Sequence, residues 1–417
     1  MQKTEFASGE VAEIQGLYGP FSFPEKLLQQ IWSRGDFDLS RAITADGRAV
    51  QILYPGNWNH LGGPDFKNAR LQIGEAEVTG DVEVHLRAAD WRSHNHAADP
   101  AYNRVVLHVI LFPTDEKMTV GADQTEIPLL VLLPLLNHDL EEYAADEVIE
   151  RLADHPLAQA RRELTQMPIA KLEAELQRCV EIRWRQKVHY AKLRIERLGW
   201  DEACHHTALE ILGYRFNRAP MLAVAGAWAL AEWSGAGGEL AETAYNHFVD
   251  RWNKQGVRPA NRPRTRLRQY ARWVAACPGW PRRLAELAAT LPQIALREAV
   301  QTATVRRAHC WPGLEQRVVE TIFCGEIGGT RLNTIVCDGL LPLLAAQKGA
   351  DGLAGVWYAW PAGDVPAKYS RLLRELGVVD RQRRPLSHGV VQALIGWLLA
   401  ADERRDESHP TSLGSGA

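Results

Sequence analysis

The sequence predicts an α/β domain at the N-terminus followed by a larger all-α domain. Three observations lead to that fold class. Between residues 50 and 136, short β-branched or alternating runs are punctuated by Gly-, Pro- and Asn-rich turns. From about residue 137 the apolar period lengthens from two to that of amphipathic helices. After that point no β-rich stretch of comparable strength recurs, and there is no internal repeat. The expected boundaries are 1–136 for the α/β domain, 137–405 for the helical domain and 406–417 for a disordered tail containing Pro410, Ser412 and Ser415.

The first element expected is a short helix. Ser22-Phe-Pro-Glu25 has the spacing of a capping box, and Leu27, Leu28 and Ile31 form an apolar stripe behind it. Residues 50–54 read as a strand closed by Pro55-Gly56, and residues 66–73 as a second strand after a Gly- and Asn-rich turn. A third, over residues 78–87, alternates: Val82, Val84 and Leu86 point one way, Asp81, Glu83, His85 and Arg87 the other. Residues 88–103 are polar and read as a loop with a short helix. Residues 105–112 form a β-branched strand, and 127–136 one more strand with its prolines at an edge. One long helix is expected over 169–198, then a break at Gly213-Tyr214 and a small-residue-rich helix over 221–233. Further helices are expected near 240–254, 264–276, 281–290, 314–323, 331–347, 367–376 and 388–402.

Composition bounds the function. At 417 residues the chain can bury two cores, and 46% hydrophobic with 24% charged residues is ordinary globular usage. A net charge of -3 excludes a uniformly basic nucleic-acid binder while leaving room for local basic faces. Cys179, Cys204, Cys277, Cys310, Cys324 and Cys337 are dispersed with no C-x-x-C pair, which fits a reduced protein better than a disulfide framework or zinc knuckle. The polar residues 1–10 carry no apolar signal region, and the apolar run 127–136 is short and broken by Pro128 and Pro134. A cytoplasmic bacterial protein without membrane association is the expectation.

The residues that carry chemistry concentrate between Asn57 and His108. Asp65 opens the second strand after Gly62-Gly63-Pro64, and Glu83 lies in the third. Two carboxylates at neighbouring positions on adjacent strands can hold a hard divalent cation, Mg²⁺ or Mn²⁺. Glu83 and His85 are two residues apart on a strand and share a face. Asn57, Asn59, His60, Asp81, Asp90, His94, His96 and His108 are candidate lining residues, with Asp99 close to the histidine pair. The competing reading makes Asp65 a turn residue, Glu25 a capping glutamate and His108 a neutral, hydrogen-bonded core histidine.

This order of helix, three strands, connection and strand resembles the core of the PD-(D/E)XK phosphodiesterase superfamily, over about residues 23–112. Pro64-Asp65 and Glu83-Val84-His85 stand where that superfamily has Pro-Asp and Glu-x-Lys, and Glu25 corresponds to its helical glutamate. The resemblance implies a restriction-endonuclease-like core and metal-dependent cleavage of DNA or RNA. It makes Asp65 and Glu83 the metal ligands, and Asp65, Glu83, His85 and Glu25 the catalytic set. His85 departs from the pattern: an imidazole near its ordinary pKa can act as a base or bind metal, where lysine supplies a fixed charge. Over a longer span the chain resembles a bacterial domain-of-unknown-function family, number 2851. The residues that carry this are Gly63-Pro-Asp65-Phe, Gly80-Asp-Val-Glu-Val-His85, Asp90-Trp91 with His94 and His96, Tyr102-Asn103, Gly213-Tyr214 with Asn217, and Arg258-Pro-Ala-Asn261.

Other patterns are weaker. Cys204-His205-His206 and His309-Cys310 lack a partner pair at zinc spacing and read as buried cysteine beside surface histidine. No P-loop, dinucleotide glycine fingerprint, nucleophile elbow or H-E-x-x-H is present. Residues 171–197 are basic, and Arg258, Asn261, Arg262, Arg264, Arg266 and Arg268, with Arg272, Tyr270 and Trp273, are candidates for contact with a polynucleotide backbone. Against this stands a solvated helix face paired with acidic neighbours. Three functions follow: a metal-dependent nuclease, a non-catalytic nucleic-acid-binding or scaffold protein on the same fold, and a metallohydrolase of another substrate built on histidines 85, 94, 96 and 108 with Zn²⁺ or Mn²⁺. Mg²⁺ or Mn²⁺ is the expected cofactor for the first, with Zn²⁺ less favoured.

Overall fold

The computed structural model describes residues 11–17, 19–60, 62–154, 157–255, 257–349, 352–379 and 385–408. The expectations for residues 1–10 and for most of the tail, 409–417, lie outside them. The chain divides into two compact units, Met1–Ala144 and Ala145–Ala417.

The first unit opens with an antiparallel hairpin of β1 (Val11–Gly16) and β2 (Gly19–Pro24), which the sequence reading leaves out. Helix α1 (Glu25–Arg34) follows at once, and Leu27, Leu28, Ile31 and Trp32 bury its stripe. The expected capping box does not form. Pro24 occupies the N-cap with no side-chain cap, while Ser22 lies in β2 opposite Glu13. A proline with fixed φ starts the helix without needing a capping hydroxyl.

Strands β3 (Val50–Tyr54), β4 (Asn57–Trp58), β5 (Phe66–Ile73), β6 (Ala76–His85), β7 (Val105–Ile110), β8 (Met118–Val120) and β9 (Glu126–Val131) form one mixed sheet. Its order is β3-β5-β6-β7-β9-β8, with β4 also on β5. β3, β5 and β6 pair antiparallel, β6, β7 and β9 pair parallel, and β8 closes antiparallel on β9. The expected strand over 127–136 is shorter, because a 3₁₀ turn at Leu133–Leu135 around Pro134 ends it.

Alternation along β6 sets the two faces. Val82, Val84 and Leu86 join Leu27, Leu28, Ile31, Leu107 and Val109 in the main core of this unit. Glu83 and His85 point the other way, beneath the crossover to β7. That crossover holds α2 (Asp90–Ser93) and two 3₁₀ turns, His96–Ala98 and Pro100–Tyr102. Gly80 is required where β6 meets β7. A Cβ there would stand 2.4 Å from Val106 Cγ1 and 2.6 Å from the Arg104 carbonyl.

Helix α3 (Leu140–Asp154) runs across the division between the units. The second unit then continues through α4 (Ala158–Gln166), α5 (Ile169–Leu198), α6 (Trp200–Ala227), α7 (Leu230–His247), α8 (Pro263–Ala276), α9 (Trp280–Leu287), α10 (Leu296–Ala299), α11 (Thr302–Ala308) and α12 (Trp311–Val318). After a π-helical turn at Val319–Phe323 come α13 (Gly329–Ile335), a second π turn at Val336–Leu340, α14 (Leu341–Lys348), α15 (Leu353–Ala359), α16 (Ala367–Glu375) and α17 (His388–Ser408). α17 thus enters the expected tail. The expected helix over 221–233 is divided between α6 and α7, and residues 235–238, left between two expected helices, lie inside α7. The break at Gly213-Tyr214 is real: Tyr214 has φ 56° and Asn217 leaves helical geometry. Among the described residues no helix is long and apolar enough to cross a membrane.

Candidate metal centre

The end of β6 and the crossover loop bring three imidazoles together. His85, His94 and His96 each offer a ring nitrogen, and these atoms lie within 4.8 Å of one another. Nε2 of His85 is 3.2 Å from His94 Nδ1 and 3.3 Å from His96 Nε2. Glu83 adds an oxygen: its Oε1 is 3.4 Å from His85 Nε2 and 3.3 Å from His96 Nε2. His85 and Glu83 come from one strand face, as the period of two requires. The other two histidines come from the loop that must cross over to a parallel strand. Tyr102 stacks on His96 with ring centroids 3.8 Å apart, and Trp91 meets His96 edge-on at 5.3 Å.

Behind the imidazoles runs a hydrogen-bonded chain. His85 Nδ1 is 2.9 Å from His108 Nε2, and His108 Nδ1 is 2.7 Å from Thr119 Oγ1. The parallel register that sets Glu83 opposite His108 puts that histidine on the same face. His108 is therefore a buried, hydrogen-bonded histidine and a neighbour of the cluster at once. Thr119 escapes sequence reading because β8 is only three residues long.

Asp65 stands beside this group through a different set of contacts. Its backbone N–H donates to Glu83 Oε2 (3.0 Å), its Oδ2 accepts from the Val84 N–H (3.1 Å) and its Oδ1 accepts from Gln29 Nε2 (2.8 Å). Gln29 also donates to Glu25 Oε1 at 3.4 Å, so α1 links Glu25 to the strand carboxylate. Gln29 escapes sequence reading too; its one signal is the i, i+4 spacing from Glu25. Among the described residues neither Asp65 nor Glu83 has a lysine or arginine among its hydrogen bonds.

That lack of positive charge shows in the protonation equilibria. Burial, with the neighbouring Glu83 charge, holds the Asp65 carboxyl well above the usual range, and burial also raises Glu83. Burial, then the adjoining His108, His96 and His94, lowers His85 to about 2; burial chiefly lowers His108 to about 3 and also lowers His96. The interior favours protonated acids beside neutral imidazoles. A divalent cation would reverse the first preference and use the second.

The remaining lining candidates have partners outside the imidazole cluster. Asp81 Oδ1 accepts the Asn68 N–H (3.0 Å) at a bulge in β5. Asp90 Oδ2 accepts the Arg87 N–H (2.7 Å), and Asp99 Oδ1 accepts the Ala101 N–H (2.9 Å). Asn59 ties the loop before Asp65, donating from Nδ2 to the Gly62 and Pro64 carbonyls. Asn57 accepts from the Tyr54 hydroxyl, and His60 is exposed against Trp58.

In the helical unit the arginine segment is largely engaged. Arg264 and Arg268 share Glu242, and Arg272 pairs with Glu326. Asn261 and Arg266 are buried and bonded to each other rather than presented at a surface, while Arg258 and Arg262 are exposed. Two expectations for the Cys/His pairs are corrected. His205 is buried, between the Tyr270 hydroxyl and the Trp228 carbonyl, and Cys310 is exposed.

Fold and centre together define a two-unit protein with a mixed sheet that carries a cluster of imidazoles and carboxylates, buried at Glu83, His85, His96 and His108 and open to solvent at His94, and a larger helical unit. The chain belongs to the family described as "Protein of unknown function (DUF2851)", whose model matches residues 25–234. The match includes α1, the whole sheet and Tyr214, and stops short of the Arg258-Pro-Ala-Asn261 segment. No curated protein and no solved structure matches the chain.

Proposed function

We propose that this protein is a metal-dependent phosphodiesterase acting on polynucleotides, with His85, His94, His96 and Glu83 as the residues that hold the ion. The observation that carries the reading is the convergence of three ring nitrogens and a carboxylate oxygen, with His85, His96 and Glu83 buried and His94 exposed at the edge of the group. The strand order supports the nuclease-like core: two antiparallel pairings, then a parallel strand after a crossover, with Pro64-Asp65 opening β5 and Glu83-Val84-His85 ending β6. The imidazole-rich donor set suits Zn²⁺ or Mn²⁺ better than the all-oxygen preference of Mg²⁺.

The ion would supply Lewis acidity toward a phosphoryl oxygen and lower the pKa of water. The chain's own groups organise it. The Asp65 N–H fixes Glu83 Oε2 and leaves Oε1 toward the imidazoles. With His85 Nε2 toward the ion, Nδ1 would carry the proton and donate to His108 Nε2, and His108 Nδ1 would in turn donate to Thr119. His85 thus replaces the lysine of the resembling superfamily by acting as a ligand, and its hydrogen-bonded Nδ1 argues against a role as base. Trp91 and Tyr102 limit water around His96.

The test combines metal analysis with cleavage of single- and double-stranded DNA and RNA in Mn²⁺, Zn²⁺ or Mg²⁺. Wild type should hold about one transition-metal ion per chain, lost in the His94→Ala/His96→Ala double variant. Cleavage should fall by about 100-fold or more in Glu83→Gln. Bound metal without cleavage of any polynucleotide would sink the nuclease reading and favour hydrolysis of another substrate, which the histidine-rich donor set also suits. Salt-sensitive polynucleotide binding with neither metal nor cleavage would favour the non-catalytic reading.

A further inference from the structure

The helical unit contains two buried arginines whose charge the interior only partly compensates. Arg266 on the first turn of α8 and Arg331 on α13 are 8% and 6% exposed, and both helices pack on α6. Arg266 donates from Nη1 to Gln269 Oε1 (2.5 Å) and from Nη2 to Asn261 Oδ1 (2.6 Å), two neutral acceptors. Arg331 donates from Nη1 to the Ile211 carbonyl (3.2 Å), and its Nη2 is 3.5 Å from Asp364. Its guanidinium lies 4.7 Å from the centre of the Tyr214 ring, where the left-handed Tyr214 backbone interrupts α6. In both arginines the Nε–H is buried with no acceptor.

The charges do not balance. The charge of Arg331 acts on Arg266, α8 and α13 both pack on α6, and Asp364 is the carboxylate that acts on both arginines. Its side chain is 35% exposed, so solvent screens much of that help. Asp338, which also acts on Arg331, is already paired with Lys187 at 2.8 Å. Buried ions are tolerated when paired, and buried donors when bonded. Two fixed positive charges facing one carboxylate, with two spare N–H groups, complement an anion.

We propose that Arg266 and Arg331 form a binding site for a phosphate-class oxyanion in the helical unit. Guanidinium forks match the oxygens of phosphate as they match those of carboxylate. A tetrahedral anion presents oxygens in more than one plane and can serve forks held by two different helices, whereas the oxygens of a carboxylate lie in one plane. The strained Tyr214 backbone brings its ring under Arg331 and fixes that guanidinium by cation–π contact. The site does not depend on the metal centre.

The experiment is a calorimetric titration with inorganic phosphate, and separately with a nucleoside 5′-monophosphate, in chloride buffer at fixed ionic strength. Wild type should bind phosphate, and Asp364→Asn, which removes the competing carboxylate, should bind about tenfold tighter. Arg266→Gln and Arg331→Gln should each bind about tenfold weaker or not at all, while Arg282→Gln at an exposed pair should match wild type. Arg331→Lys keeps the charge without the fork and should also weaken binding, which covers the case of an unfolded glutamine variant. Tighter binding of the nucleotide would identify a phosphomonoester as the source of the anion, and equal or weaker binding would identify free phosphate. Absence of a phosphate-specific response in both wild type and Asp364→Asn would overturn the proposal. So would a response that survives in Arg266→Gln, Arg331→Gln and Arg331→Lys alike.

Discussion

At the scale of single residues, His108 is placed to matter to the proposed metal centre without touching the ion it would hold. It holds His85 Nδ1 at 2.9 Å and passes the constraint to Thr119. Partners of this kind fix the tautomer and orientation of a ligand, and their loss typically costs 10–100-fold in metal affinity. His108→Ala should therefore weaken Zn²⁺ or Mn²⁺ binding by about 10- to 100-fold with His85, His94 and His96 all present. Competition against a chromogenic chelator measures this, and an unchanged affinity would reduce the chain to packing. Sequence reading could single out Glu83 and His85, because a strand's period of two puts them on one face. It could not decide the direction of His108, which depends on the register between β6 and β7. Nor could it reveal that the Asp65 oxygens are taken by Gln29 and Val84, because those contacts join segments distant in sequence.

At the scale of elements, the register depends on an irregularity. Phe66 faces Val82 and Ala69 faces Gly80, so Lys67 and Asn68 together oppose Asp81. On the other edge of β6, Asp81 faces Val105 and Val82 faces Leu107, which leaves Val106 extra. The two bulges flank the same point and bring Glu83 into line with His108. Asn68 adopts φ 58°, and its N–H is satisfied by Asp81. Asp81→Ala leaves that donor without its carboxylate and should destabilise the first unit by about 1–3 kcal/mol, read as a lower urea midpoint at unchanged slope. A midpoint equal to wild type would show that water replaces the carboxylate at no cost. Bulges and the three-residue β8 leave little mark on sequence periodicity, and the β1–β2 hairpin is hidden by a segment that mimics a helix start. The strand β6 was plain from its period of two, but not that its polar face is buried as well as its apolar one from Gly80 to His85.

At the scale of the whole molecule, the helical unit carries its own pH dependence. Burial chiefly lowers His205 to about 4, His206 to about 3 and His388 to about 4. Above their unfolded pKa of about 6.5 these groups are neutral in both states and do not affect the balance. As pH falls below that value, the unfolded chain takes up protons that the folded chain refuses, so stability declines. Each such histidine contributes about 1.4 kcal/mol per pH unit, until the pH reaches its folded pKa. Unfolding followed by helical circular dichroism should give a lower midpoint at pH 5.0 than at pH 7.5, with a smaller difference in His388→Asn. Equal or higher stability at pH 5.0 would contradict this sign. The helical character of the unit was legible from apolar spacing alone. The divisions within it were not, since the glycines of α7 and the π turns before and after α13 are decided by packing rather than by local preference.

The imidazole cluster has one more consequence, for the denatured chain. His85, His94 and His96 come from a single short stretch ending in the crossover, so only small loops must close to bring them together. Closing such loops costs little entropy, and an unstructured chain therefore keeps the three rings at a high mutual concentration. A transition metal would then find partners before the sheet forms. Whatever the folded protein would gain from such an ion, the unfolded chain would recover part of it, so added metal should raise the melting temperature by less than the native affinity alone would give.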